Sequence, residues 1–162
     1  MINEFWNLVL ETWQQGIRGI GIDNIIICLL IILGSLVARA LMNTYLLDKI
    51  AKLTEKSETT LDDEIIESLR GPFGLIPVAF GLYLITAYLP FSGSLDLIAT
   101  NLVKMLVIYT IFSALANLTK PLLNLLSDNS WLTPAMTTWL SRVASVLVWI
   151  VGITMMLDIW GI

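Results

Sequence analysis

The sequence has no histidine, a single cysteine and only 14% charged residues. Histidine is the commonest general base near neutral pH and the commonest transition-metal ligand, so its absence removes both from consideration. The one thiol, Cys28, forms no intramolecular disulfide, and inside an apolar run it reads as a packing residue. Soluble domains average roughly a quarter charged residues. At 57% hydrophobic and a mean hydropathy of +0.83, these 162 residues carry more apolar surface than a soluble core of that size would hide.

Other absences narrow the classes further. The net charge is −4 and the basic residues stand singly, so no dense basic patch is available for nucleic acid. No run alternates strictly between apolar and polar residues, as the strands of a membrane barrel do. The opening MINEFWNLVLETW has no Lys or Arg before Arg18 and so lacks the basic head of a secretory signal, which keeps it in the mature chain. No glycine-rich phosphate loop, nucleophile beside a base, or cluster of metal ligands is present. The expectation is a protein that is not an enzyme and needs no cofactor.

What is present is a series of long apolar runs. A segment in lipid must satisfy its own backbone hydrogen bonds, which here selects helices. The predicted fold class is all-α: a membrane helical bundle of four transmembrane helices, with an N-terminal interfacial amphipathic helix. Residues 1–22 form the interfacial helix and linker, and residues 23–162 the four-span domain, with spans at about 25–47, 73–89, 97–118 and 135–160. In the first part Ile2, Phe5, Trp6, Val9, Trp13 and Ile17 recur at spacings of three and four, placing two tryptophans on an apolar face suited to the headgroup level. A partner subunit is the competing surface for that face.

Details of the spans follow from their small and breaking residues. Asp23 or Asn24 is expected to cap the first span, and Gly34, Ser35 and Ala38 to give it a small packing face. Gly71 and Pro72 mark a bend, Pro77 a kink, and Gly74 with Gly81 a shared packing face. Lys120 and Pro121 are expected to distort the end of the third span. Thr133 and Pro134 read as the cap and first position of the fourth, whose small face is Ser141, Ser145 and Gly152.

The only long charged passage runs from Lys49 to Pro72 and holds four of the nine Lys and Arg residues and six of the thirteen Asp and Glu residues. Its lysines, with Arg70, Lys120 and Arg142, put the excess of positive charge on one side, so the 48–70 loop is expected in the cytoplasm and the N-terminus outside. Thr60 reads as a helix cap, with Asp62, Asp63 and Glu64 in the first turn where the helix dipole favours acids. A Mg²⁺ site built on Asp62 and Asp63 is the catalytic alternative, but their spacing divides them between faces and no second acidic cluster completes it. The passage is therefore read as a cytoplasmic elbow comprising Thr60, Asp62, Asp63, Arg70 and Pro72.

Cations within or beside the spans are candidate contacts for anionic lipid headgroups: Arg39, Lys104, Lys120 and Arg142. Lys104 lacks an intramembrane carboxylate in the other spans to pair with, which favours snorkelling or a lipid phosphate over a transport site.

Two passages resemble the small-conductance mechanosensitive channel family, the MscS type. One is Thr60-Leu61-Asp62-Asp63-Glu64-Ile65-Ile66 with Leu69 and Pro72, similar to an acidic-pair segment before an inner spanning pair in larger members. The other is the last helix, from Arg142 through Val146, Trp149, Ile150 and Gly152 to Leu157-Asp158 and Gly161-Ile162, which resembles the helix preceding the pore helix. The resemblance implies a tension-sensing, lipid-contacting domain of a homo-oligomeric channel in the bacterial inner membrane, acting in osmotic stress. It also implies a piece of a longer channel, because the glycine- and alanine-rich pore helix of the family would begin after Gly161. A small membrane scaffold or accessory subunit without channel activity is the alternative.

Overall fold

The computed structural model describes Trp6 and residues 21–46, 60–89, 93–127 and 133–162. Among these residues every regular element is helical. Helix α1 spans Ile22–Leu41 and ends in a π-helical turn, Met42–Leu46. Helix α2 spans Thr60–Phe73, α3 Ile76–Tyr88, α4 Ser94–Ser127 and α5 Pro134–Asp158. Four stretches are long and apolar enough to cross a membrane: Ile22–Thr44, Glu64–Tyr88, Ser94–Leu125 and Pro134–Asp158. The chain is an integral membrane protein with four spans, as the composition required. Trp6 is helical and exposed; the rest of the interfacial helix, and Lys49, Lys52 and Lys56, lie outside the described residues.

The helices form an open row. α1 packs on α3, α3 on α4, and α4 on α5, while α2 lies against the far end of α4. Few side chains are enclosed as a result, and long apolar faces of α1 and α5 remain exposed. In lipid this exposure needs no correction, because the surrounding tails are as apolar as leucine; close packing and hydrogen bonds between helices set the contacts instead.

Those contacts occur where side chains are small. A Cβ added at Gly81 would stand 2.6 Å from Ser35 Cβ, so Gly81 lets α3 close on α1, and one at Gly74 would stand 2.9 Å from the Asn43 amide, so Gly74 lets the turn before α3 close on the π-helical turn. The predicted shared face of Gly74 and Gly81 is thus present. Its counterpart on α1 is Ser35, not Gly34: a Cβ at Gly34 would meet nothing within 4 Å, and Gly34 and Ala38 are exposed. On α5, Gly152 lies under Phe112, and Ser141 and Ser145 turn toward α4 as their spacing indicated. There Thr119 Oγ1 and Ser145 Oγ are 2.6 Å apart, and Ser145 Oγ donates to the Ala116 carbonyl at 3.0 Å. Two rings, Tyr109 and Trp149, add a tilted contact at 5.4 Å between centroids.

Several breaks fall elsewhere than the sequence suggests. Gly71 and Pro72 lie inside α2, and the chain interrupts its helix at Gly74 and Leu75, with Pro77 in the first turn of α3 and not at a kink. Proline is tolerated in a first turn because its missing N–H has no intrahelical partner there. Pro121 likewise sits within α4, which continues to Ser127 instead of ending near Leu118. Among the described residues Pro72 and Pro121 are fully enclosed, so each ring is packed by its neighbours at the position where it removes a helical hydrogen bond. Gly21, not Asp23 or Asn24, precedes α1, and Asp23 occupies its first turn. Thr133 caps α5 as expected, accepting from Met136 N–H at 3.4 Å ahead of Pro134.

Candidate functional site

At 34 residues, α4 is about 51 Å long, well beyond the roughly 30 Å of a hydrocarbon core. Its neighbours show which part lies in lipid. Asn101 Nδ2 donates to the Ile159 carbonyl at 3.2 Å, and Trp160 Nε1 contacts Met105 Sδ at 2.8 Å, so the end of α5 is level with Lys104. At the other end Asn117 Nδ2 donates to the Ser68 carbonyl at 3.1 Å, and Lys120 Nζ lies 3.3 Å from Glu64 Oε1. Lys104 and Lys120 are therefore about 24 Å apart along the axis. Two polar planes bound the row.

The plane at the Lys120 end is the richer one. Positions 117, 120 and 124 share one face of α4 and meet the face of α2 that carries Glu64 and Ser68. Glu64 accepts from Asn124 Nδ2 at 3.0 and 3.3 Å besides its contact with Lys120. Arg70 donates from Nε to Glu67 Oε2 at 2.9 Å and from Nη1 to the Asn43 carbonyl at 3.0 Å. The Asn43 side-chain oxygen is buried against this contact without a hydrogen-bond partner among the described residues. Arg142 is exposed, and its neighbour Ser141 accepts from Thr119 Oγ1 at 3.4 Å, placing it near the level of Lys120.

The predicted contact residues are thus distributed between both planes. Arg70, Lys120 and Arg142 share the first, and Arg39 lies one turn from Asn43 toward the apolar middle, exposed. Lys104 stands alone among them at the opposite plane, with Asp23, Asp96 and Asp158 at the helix ends there. Arg39, Lys104 and Arg142 have no ion-pair partner among the described residues. Pro72 is packed inside α2. Helix α2 begins at Thr60, but the capping expected of Thr60 and the dipole role expected of Asp62 and Asp63 rest on side chains outside the described residues.

Sequence reasoning did not single out Asn43, Asn117 or Asn124. A signal existed for the last two: with Lys120 they recur at three and four residues on one polar strip of an otherwise apolar helix. Among the described residues no group of three or more metal-ligating side chains comes together. Apolar grooves open among the described residues instead. One, of about 360 Å³, lies between α3 and α4 and is lined by Phe73, Ile76, Ala79, Val107, Ile111 and Leu115; the Thr110 hydroxyl beside them is already donated to the Leu106 carbonyl. Another, of about 350 Å³, is lined by Leu82, Leu102, Met105, Tyr109 and Met156.

No family model matches the chain, and no curated protein or solved structure matches it.

Proposed function

We propose that these helices are the tension-sensing, lipid-contacting membrane domain of an MscS-type mechanosensitive channel, working as a homo-oligomer in a bacterial inner membrane. The observation that carries this reading is the open row of spans between two polar planes. A row exposes more lipid-facing surface than a closed bundle of the same helices, so lateral tension and bound lipid have a large area on which to act. Tension favours whichever state occupies more membrane area, and lipids that bind the states unequally shift the population between them.

The charge distribution supports the orientation. Arg39, Arg70, Lys120 and Arg142 gather toward one plane, whereas the other has three aspartates and Lys104. By the excess of Lys and Arg, the Lys120 end faces the cytoplasm and the Asp158 end the outside. Arg39, Lys120 and Arg142 then meet inner-leaflet headgroups and Lys104 outer-leaflet ones. The helices sense rather than conduct, since the middle of the row offers ions no continuous polar file among the described residues. The test is osmotic-downshock survival in a strain stripped of its own mechanosensitive channels. Expression of the whole channel gene to which these helices are assigned is expected to restore survival, and absence of rescue across several expression levels counts against the assignment. Liposomes holding this chain alone are expected to show no stretch-activated current.

A further inference from the structure

Assembly about an axis normal to the membrane keeps every residue of every copy at its own depth. Residues level with one another in one chain are therefore the residues able to meet between copies. Lys104 and Asp158 are such a pair: the Asn101–Ile159 and Trp160–Met105 contacts hold them at one level, both are exposed, and neither has an ion-pair partner among the described residues. On α5 the residues Ser141, Ser145 and Gly152 face α4, whereas Leu147, Val151 and Asp158 fall on the exposed side at spacings of four and seven. On α4, Val107 and Ile111 line the α3–α4 groove, and Lys104 lies on the same helix face one turn before Val107.

The depths of the apolar parts also coincide. Gly152 lies against Phe112 and Ser145 against Ala116, which sets Met155, Val151 and Leu147 level with Val107, Ile111 and Leu115 of the groove. An exposed ridge and an apolar groove of matching depth thus each end, on the same side, in opposite charges. We propose that α5 of one copy seats in the α3–α4 groove of a second copy, its Leu147–Val151–Met155 ridge filling the groove and its Asp158 carboxylate meeting Lys104. The contact is head-to-tail, using different surfaces of the two copies, so repetition through a closing rotation builds a ring. A lipid tail would fill the groove equally well by apolarity alone. The matching charge at the matching depth is what favours a second copy.

This inference rests on the self-assembly part of the proposed function and is separable from channel activity, because cross-linking reads contact and downshock survival reads gating. In a Cys28→Ser background, two cysteine pairs are placed in one chain, Lys104→Cys with Asp158→Cys and Ile111→Cys with Val151→Cys, and membranes are treated with an ethane-bridged bis-methanethiosulfonate. Each pair is expected to give a ladder of covalent dimers and higher species that its single-cysteine parents do not. Charge exchange supplies the second measurement. In the Ile111→Cys, Val151→Cys chain, Lys104→Asp alone or Asp158→Lys alone lowers the yield roughly fivefold, the factor that about 1 kcal/mol represents, and the two together restore it. Ladders no stronger than those of the single-cysteine chains, with protein present in the membrane, overturn the proposal and leave the groove to lipid. Failure of the double exchange to restore the yield overturns the pairing of Lys104 with Asp158.

Discussion

Arg70 donates from Nη1 to the Asn43 carbonyl at 3.0 Å and so ties α2 to the π-helical turn that ends α1. The tie joins two irregularities, for the break between α2 and α3 at Gly74 packs on the same Asn43. A π-helical turn disturbs the regular backbone pattern and frequently marks a functional point in a helix. The guanidinium then serves as an external partner for a carbonyl there. Arg70→Ala is expected to destabilise the detergent-solubilised protein by about 1.5–3 kcal/mol, the range for a hydrogen bond with one charged partner. Hydrogen exchange should rise at 42–46 and at Gly74–Leu75, while Arg70→Lys, which keeps the charge but loses the planar fork, falls between. Unchanged exchange in Arg70→Ala would show that the tie is incidental.

The glycine contacts make a graded set. Gly81→Ala would drive a Cβ to 2.6 Å from Ser35, and Gly152→Ala would bring one to 2.8 Å from the Phe112 ring, whereas Gly34→Ala would meet nothing within 4 Å. Overpacking of this kind costs about 1–3 kcal/mol. Gly81→Ala and Gly152→Ala are expected to lower the midpoint of thermal unfolding in one detergent, and Gly34→Ala to leave it unchanged or raise it. Equal midpoints for all three would mean that the helices separate freely at Ser35 and Phe112.

These two sets show what was legible in sequence. Span number, the Thr133–Pro134 start and the small faces of α3 and α5 follow from hydropathy and from glycine and serine spacing, which are local signals. Three features were not readable: the π-helical turn, the passage of Pro72 and Pro121 through helix interiors, and the union of Glu64 with Lys120 and Asn124. Each depends on what a distant helix places alongside. A proline reads as a breaker until a neighbouring element encloses its ring, and a lone lysine reads as a lipid contact until a glutamate 56 positions earlier lies beside it.

The Thr119–Ser145 seam joins α4 to α5 beside the level of Lys120. Its hydroxyls are 2.6 Å apart, and each also reaches a backbone carbonyl, Ala116 in both cases. Hydrogen bonds between membrane helices average only about 0.6 kcal/mol, because the separated helices find other partners. Thr119→Val and Ser145→Ala are therefore expected to be mild singly. A double-mutant cycle on unfolding in mixed micelles should give a coupling of about that size, and additive effects would show that the pair carries no energy of its own.

Glu64 holds the same Lys120 ammonium that the proposed function assigns to lipid headgroups. The carboxylate is 3.3 Å from the ammonium and also accepts from Asn124 Nδ2, while Lys120 itself is 65% exposed. An exposed pair of this kind contributes at most about 1 kcal/mol, so an anionic headgroup can displace it. Glu64→Ala is expected to increase the thermal stabilisation given by phosphatidylglycerol over phosphatidylcholine, and Lys120→Ala to reduce it. If Lys120→Ala leaves the lipid effect intact, Lys120 serves only to hold α2 on α4.

The two polar planes predict where α4 meets water. Asp96 lies two turns beyond Lys104, and Leu125 lies beyond Lys120 at the other end, both exposed, whereas Ile111 lies midway between the planes. In a Cys28→Ser background, Asp96→Cys and Leu125→Cys are expected to react with a membrane-impermeant maleimide, and Ile111→Cys to remain unlabelled. With intact cells, Asp96→Cys should label from outside, and Leu125→Cys only after the membrane is opened, as the charge distribution orients the row. Labelling of both from one side would mean that α4 does not cross the membrane. Labelling of Ile111→Cys would mean that the middle of the row faces water, and would remove the depth matching on which the contact between Lys104 and Asp158 depends.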